Sequence, residues 1–207
     1  MIHAFSRLTN FSKAATLAFL FASLSLGAFA DDHAKKEAKK EKKEGNPIVE
    51  MQTTSGVIVI ELFEKEAPIT VANFLKYVDS GFFNGTIFHR VVPGFVIQGG
   101  GFTFDFQRKE TLPPIKNESD NMLKNLKGTL SMARTPDVNS ASSQFFINTQ
   151  DNPNLDYRNK RHGYAVFGKV IKGFDVVQKI EKEPRGQHRA NPEAPNFPVI
   201  IEKAKRI

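Results

Sequence analysis

The rhythm of apolar and polar positions changes several times along this chain, and each change marks an element. Residues 48–52 (Ile-Val-Glu-Met-Gln) alternate loosely, Thr54-Ser55-Gly56 breaks the pattern, and Val57-Ile58-Val59-Ile60 is continuously apolar. Two such runs around a short polar break predict a β-hairpin. From Pro68 the period becomes helical. Val71, Phe74, Leu75 and Val78 fall at i, i+3, i+4 and i+7, and Gly81 closes the stretch. Proline suits the first helical turn because its missing N–H would have no partner there. Strand-like runs follow at 87–92, 95–98, 129–133, 144–148 and 164–170. A second helix after Gly173 puts Phe174, Val177 and Ile180 on one face and stops at Pro184. A last strand is expected at 199–202. Many short strands with two separate helices predict a β-barrel or sandwich capped by helices.

Ahead of this pattern lie two segments of different character. Arg7 and Lys13 make a basic start, residues 14–30 carry no charge, and the stretch ends Gly27-Ala28-Phe29-Ala30 before Asp31-Asp32. A basic start, an apolar middle and a small-residue A-x-A exit describe a secretory signal peptide over 1–30. A membrane anchor is the alternative. The apolar run is short for a span of ~20 residues, and Ser23, Ser25 and Gly27 interrupt it. Residues 31–46 are dominated by Lys and Glu and can bury little, so a solvated linker is expected there. The folded domain is then 47–207.

Composition narrows the chemistry. The chain has 207 residues, 19 of them Phe, enough for one sizeable core. The net charge is +7, yet the lysines cluster in residues 31–46 and the rest of the chain has mixed signs and no long basic stripe, so no nucleic-acid partner is expected. Without cysteine there is no disulfide, thiolate metal site, Cys nucleophile or lipid-modified Cys. The five histidines show no metal-ligand spacing. Gly163-Tyr-Ala-Val-Phe-Gly168-Lys169 imitates a phosphate loop, but Val170 stands where the metal-binding hydroxyl belongs. Gly99-Gly100-Gly101 lacks the last glycine of a dinucleotide fingerprint, Phe104 taking its place. No G-x-S-x-G elbow is present.

Four blocks remain, and they are specific. Phe88-His89-Arg90-Val91-Val92-Pro93-Gly94-Phe95-Val96-Ile97-Gln98-Gly99-Gly100 closely resembles the signature of the cyclophilins. Gly128-Thr129-Leu130-Ser131-Met132-Ala133-Arg134, Ser142-Ser143-Gln144-Phe145-Phe146-Ile147 and Tyr164-Ala165-Val166-Phe167-Gly168-Lys169-Val170 resemble that family's further blocks, in its order, across residues 48–204. With its leader, the chain resembles the periplasmic cyclophilins of Gram-negative bacteria. The resemblance implies a closed eight-stranded antiparallel β-barrel capped by two α-helices, with substrate bound in a groove on its outer face. It implies a peptidyl-prolyl cis–trans isomerase that needs no cofactor or metal and acts on proline-containing polypeptides. The expected setting is the periplasm, the chain being a monomer that assists the folding of exported proteins; a membrane-anchored form facing the periplasm is the alternative. A proline-segment binding module or holdase with little turnover is the competing function.

By the same resemblance Arg90 is the catalytic donor, and Phe95, Val96, Phe146, Leu155 and Tyr164 form the proline pocket. Gln98 and Gln144 line the groove and orient Arg90, while Ala133 and Arg134 pair their backbone with the substrate. Strand alternation puts His89 on the face opposite Arg90, in a structural role. Three rim positions depart from frequent family choices. Asn154 stands where many eukaryotic members have Trp, Val96 where Met is common, and Arg134 where Asn is common. Strong cyclosporin binding is therefore not expected.

Overall fold

The computed structural model describes residues 45–158 and 162–207. The expected signal peptide and nearly all of the expected charged linker fall at 1–44, outside the described residues. From residue 45 onward the chain forms one compact unit.

Eight strands carry the fold: β1 (Ile48–Thr53), β2 (Gly56–Leu62), β3 (Thr86–Val92), β4 (Val96–Thr103), β5 (Thr129–Met132), β6 (Phe145–Asn148), β7 (Val166–Lys172) and β8 (Ile200–Arg206). They close into a barrel in the order β1-β2-β7-β5-β6-β4-β3-β8, every neighbouring pair antiparallel. Closure leaves no sheet edge among these strands. Among the described residues two α-helices, α1 (Pro68–Asp79) and α2 (Phe174–Glu181), lie where the helical period places them. Both bury a face against the barrel, α1 through Val71, Phe74 and Val78 and α2 through Val177 and Ile180.

The barrel interior is filled by aromatic rings. Phe74 of α1 reaches Phe83 at 5.0 Å, Phe167 at 5.1 Å and Phe145 at 5.6 Å between ring centroids. This core explains the middle residue of the triple glycine at 99–101, just past Gln98 where the strand is expected to end. Gly100 has φ +83°, and a Cβ there would lie 2.9 Å from the Phe145 ring and 3.0 Å from Phe83. Strand β4 therefore runs on through the glycines to Thr103 instead of stopping at Gln98.

Other boundaries move for similar reasons. Strand β8 continues past Glu202 because it pairs along the length of β1, where Glu50 faces Lys205 and meets its ammonium at 3.1 Å. Strand β7 starts at Val166 rather than Tyr164, since the Tyr164 N–H turns away to donate to the Leu155 carbonyl at 2.9 Å. The start of α1 has no side-chain cap of its own at Ala67. A distant carboxylate supplies one. Glu118, 8% exposed, accepts from the Ile69 N–H, the Thr70 N–H and the Thr70 hydroxyl at 2.7–3.1 Å. The orphan donors of the first turn are satisfied there, and the negative charge sits at the positive end of the helix dipole.

Candidate active site

Pleat alternation on three adjacent strands builds an outer face of unusual composition. In β6, Phe145 and Ile147 belong to the barrel core, which leaves Phe146 and Asn148 for the outside. Strand β4 repeats this with Ile97 inward and Val96 and Gln98 outward, and Gln98 faces Phe146 across the ladder. The outward residues are nonetheless covered. Val96, Phe146 and Leu155 form a second apolar cluster separate from the barrel core, with Phe95, Ala133 and Tyr164 packed around it. The Phe146 and Tyr164 rings meet edge to face at 5.6 Å. Above this cluster opens a cavity of about 250 Å³ whose wall also includes Arg90, Gln98 and Arg134.

The structure brings together nine of the ten residues expected at the site. The exception is Gln144. It lines an adjoining cavity of about 170 Å³ with Arg108, Thr135 and Ser142, and its amide oxygen accepts a bond from the Gln98 amide nitrogen at 3.0 Å. One further expectation is corrected. Neither glutamine holds Arg90. The guanidinium instead meets Glu193, through Nε at 2.5 Å and Nη2 at 3.5 Å. The Ala133 N–H donates to the Gln144 carbonyl at 3.0 Å, so its amide hydrogen is already engaged within the barrel wall. Arg134 does more than present backbone. Its guanidinium lies 4.8 Å from the Tyr164 ring centre and donates to the carbonyls of Thr135, His162 and Gly163 at 2.9–3.2 Å. The charge is thus tied down, and it braces Tyr164. Asn154 lies beyond this wall, on a larger cavity of about 660 Å³ that shares Arg134 and Tyr164 with the proline-sized one.

Local strand geometry decides where Arg90 points. Phe88 pairs with Gly99 but Arg90 pairs with Gln98, so β3 carries one extra residue at this step. Such a bulge interrupts alternation. Phe88 and Val91 are both fully buried in the core, and His89 and Arg90 are both left out of it. Simple alternation would have placed only one of them outside. His89 packs on Phe102 with ring centres 4.7 Å apart. Burial pushes its pKa down to about 4, with Arg90 acting in the same direction against a hydrogen bond to the Ile87 backbone. The folded value lies below the unfolded value near 6.5, so the unfolded chain takes up the proton first as pH falls. Stability is therefore expected to decline between pH ~6.5 and ~4, by an order of 2–3 kcal/mol from this group. Urea titrations of wild type and His89→Asn across that range check it: the slope should flatten in the variant, and equal slopes would remove His89 as the cause.

A buried polar network under the pocket is invisible in the sequence. Asn152 donates to the Asn148 side chain at 2.8 Å and the Phe95 carbonyl at 2.9 Å. Asn148 donates to the Thr129 hydroxyl at 2.9 Å. Ser131 donates to Asn125 at 2.7 Å, and Asn125 donates through its backbone and side chain to Asp156 at 2.8 and 3.1 Å. These bonds fix the 149–156 segment that delivers Leu155, and they anchor Phe95 by its carbonyl. In sequence these residues read as ordinary loop asparagines; only the alternation that makes Asn148 share a face with Phe146 hints at them. Glu193 gave no signal at all. Among the described residues no group of three or more His, Asp or Glu is placed to hold a metal ion.

Comparison with known proteins follows the same contour. The family described as cyclophilin type peptidyl-prolyl cis-trans isomerase matches residues 48–206. The chain is 52% identical over 157 residues to peptidyl-prolyl cis-trans isomerase A of Dickeya dadantii, covering 76% of this chain and 83% of that one. It is 49% identical over 158 residues to peptidyl-prolyl cis-trans isomerase B of Escherichia coli, covering 75% and 96%. Among solved structures it is similar to a cyclophilin type isomerase of Cryptosporidium parvum, with TM-score 0.66, 29% identity, and coverage of 78% of this chain and 98% of that one. A second structure of that protein, in the presence of the dipeptide Ala-Pro, matches with TM-score 0.64 and 30% identity over 76% and 97% of the two chains.

Proposed function

The chain belongs to the cyclophilin family and is a peptidyl-prolyl cis–trans isomerase, and from that premise we propose that it serves exported polypeptides, with Arg90 as the catalytic donor. The observation that carries the site assignment is a guanidinium at the rim of a small apolar pocket of proline size. Rotation about an X-Pro bond is slow because amide resonance opposes it, with a barrier of ~18–20 kcal/mol. No bond to carbon breaks, so neither nucleophile nor metal is required. The catalyst has only to favour the twisted amide over both planar forms.

In the twisted amide the prolyl nitrogen regains its lone pair and becomes a hydrogen-bond acceptor. A donor fixed beside it stabilises that state more than either ground state. Arginine suits this role because its planar head offers several donors in a fixed geometry. The pocket walls of Val96, Phe146 and Leu155 take the ring, and the groove beside Gln98 and Gln144 takes the preceding residues. The Ala-Pro dipeptide present with the Cryptosporidium parvum relative supports a proline-containing ligand of the same kind here. The basic, apolar and A-x-A sequence of residues 1–30 supports export, and removal of that segment would free the domain in the periplasm.

The test is to express the full chain in a Gram-negative host, fractionate the cells and assay the recovered protein on an Ala-Pro peptide by exchange NMR. A periplasmic product beginning at Asp31 that speeds cis–trans exchange above the buffer rate is expected. A product retaining residues 1–30 in the membrane fraction would overturn the export reading. Peptide binding without faster exchange would leave a binding module in place of an enzyme.

A further inference from the structure

Arg90 stands on a bulge, so the regular pleat of β3 does not by itself aim its side chain. Something else must, and the 184–199 segment between α2 and β8 is built to do so. The Glu193 carbonyl accepts from the Val91 N–H at 2.7 Å, and the Val199 carbonyl accepts from the Phe88 N–H at 3.0 Å. These bonds lay the segment along β3 on both sides of the bulge. Ala194 and Val199 are buried, 1% and 3% exposed, and the Asn196 N–H closes the segment on the Pro184 carbonyl at 2.7 Å. Glu193 sits between Pro192 and Pro195. Each proline fixes its own φ and restricts the residue before it. The backbone that presents the Glu193 carboxylate is therefore held by hydrogen bonds, buried anchors and prolines together.

We infer that Glu193 is the positioning residue for Arg90: it holds the guanidinium by its Nε edge so that the remaining Nη hydrogens face the proline pocket. This rests on the reading of Arg90 as the donor. The carboxylate approaches Nε at 2.5 Å and Nη2 at 3.5 Å. Five N–H groups fan out from a guanidinium, so an anion on the Nε side leaves the Nη1 end free for the substrate amide. Energetics favour a functional role over a structural one. The two side chains are 36% and 49% exposed, and ion pairs this exposed contribute little to stability. A donor already oriented, by contrast, loses less freedom on reaching the transition state.

The experiment is a double-mutant cycle on kcat/KM for an Ala-Pro peptide, using Glu193→Gln, Arg90→Ala and the pair. Glu193→Gln should lower kcat/KM about tenfold, equivalent to ~1.4 kcal/mol, through kcat rather than KM, with the melting temperature unchanged. Glu193→Asp should recover part of the loss. In the Arg90→Ala background Glu193→Gln should have no further effect. The Arg90 Nε–H signal in 15N NMR should exchange with solvent faster in Glu193→Gln. An unchanged rate in Glu193→Gln overturns the inference. An equal fractional loss in the Arg90→Ala background also overturns it, by showing that the segment acts through the fold. A faster enzyme would mean that the carboxylate competes with substrate. If Arg90→Ala itself keeps full activity, the donor assignment fails instead, and the cycle separates that outcome from the others.

Discussion

Arg90→Ala is expected to lower kcat/KM on an X-Pro peptide about 10²- to 10³-fold, the usual cost of removing one preorganised transition-state donor (~2.7–4 kcal/mol). The loss should fall on kcat. The pocket formed by Val96, Phe146 and Leu155 does not depend on the guanidinium, so peptide affinity measured by NMR titration should change little. Stability should hardly move either. The side chain is 36% exposed and its ion-pair partner is Glu193, a pairing worth about 0–1 kcal/mol at such exposure. A variant within threefold of wild type would remove Arg90 from the mechanism. A variant that also lost its melting temperature would show that the arginine holds the bulge together and that the rate loss is secondary. Arg90→Lys is a useful companion. It keeps the charge but not the planar fork that Glu193 grips by one edge, so a rate close to that of Arg90→Ala is expected.

Phe145→Ala is expected to cost about 3–5 kcal/mol of folding stability, the range for removing a buried aromatic side chain. The ring is 0% exposed and meets Phe74, Phe83 and Phe88 edge to face at 5.6, 5.6 and 6.2 Å. Its loss would leave a void between α1, β3 and β4, and beside the Gly100 backbone that the ring now crowds. Since small domains are stable by only about 5–15 kcal/mol, the variant should unfold at a much lower urea concentration with an unchanged m-value. Phe146→Ala is the control in the next position. That residue lies in the pocket cluster and not in the barrel core, so it should lose activity first and stability less. If Phe145→Ala cost under ~1 kcal/mol, or if the two variants could not be told apart, the division into a structural core and a substrate cluster would be wrong.

That division was partly legible beforehand. The helical period over Val71, Phe74, Leu75 and Val78 and the hairpin around Gly56 follow from sequence alone, because both depend on residues a few positions apart. The four motif blocks, by their resemblance to one family, located Arg90 and all of the expected pocket except Leu155. Other features were read wrongly or not at all. The strand was expected to end at Gln98, yet it runs on through the glycines, and Gly100 is a close approach between that strand and two aromatic rings brought from elsewhere. Gln98 and Gln144 were expected to orient Arg90 but bond to each other. Asn125, Asn148, Asn152 and Asp156 are individually unremarkable polar residues, and only their burial together makes them a support for Leu155 and Phe95.

The sequence by itself determined the hairpin and the two helical stretches and, through its resemblance to one family, the arginine and the apolar pocket set. The elements follow from short stretches whose periodicity is dictated by backbone geometry, and the site residues from blocks that match the family's order. Tertiary structure alone decided how the arginine is aimed. The bulge that frees it depends on how β3 registers against β4, and the carboxylate that steadies it comes from 103 positions further along the chain. Neither leaves a local trace, because register and long-range pairing are settled only when the barrel closes.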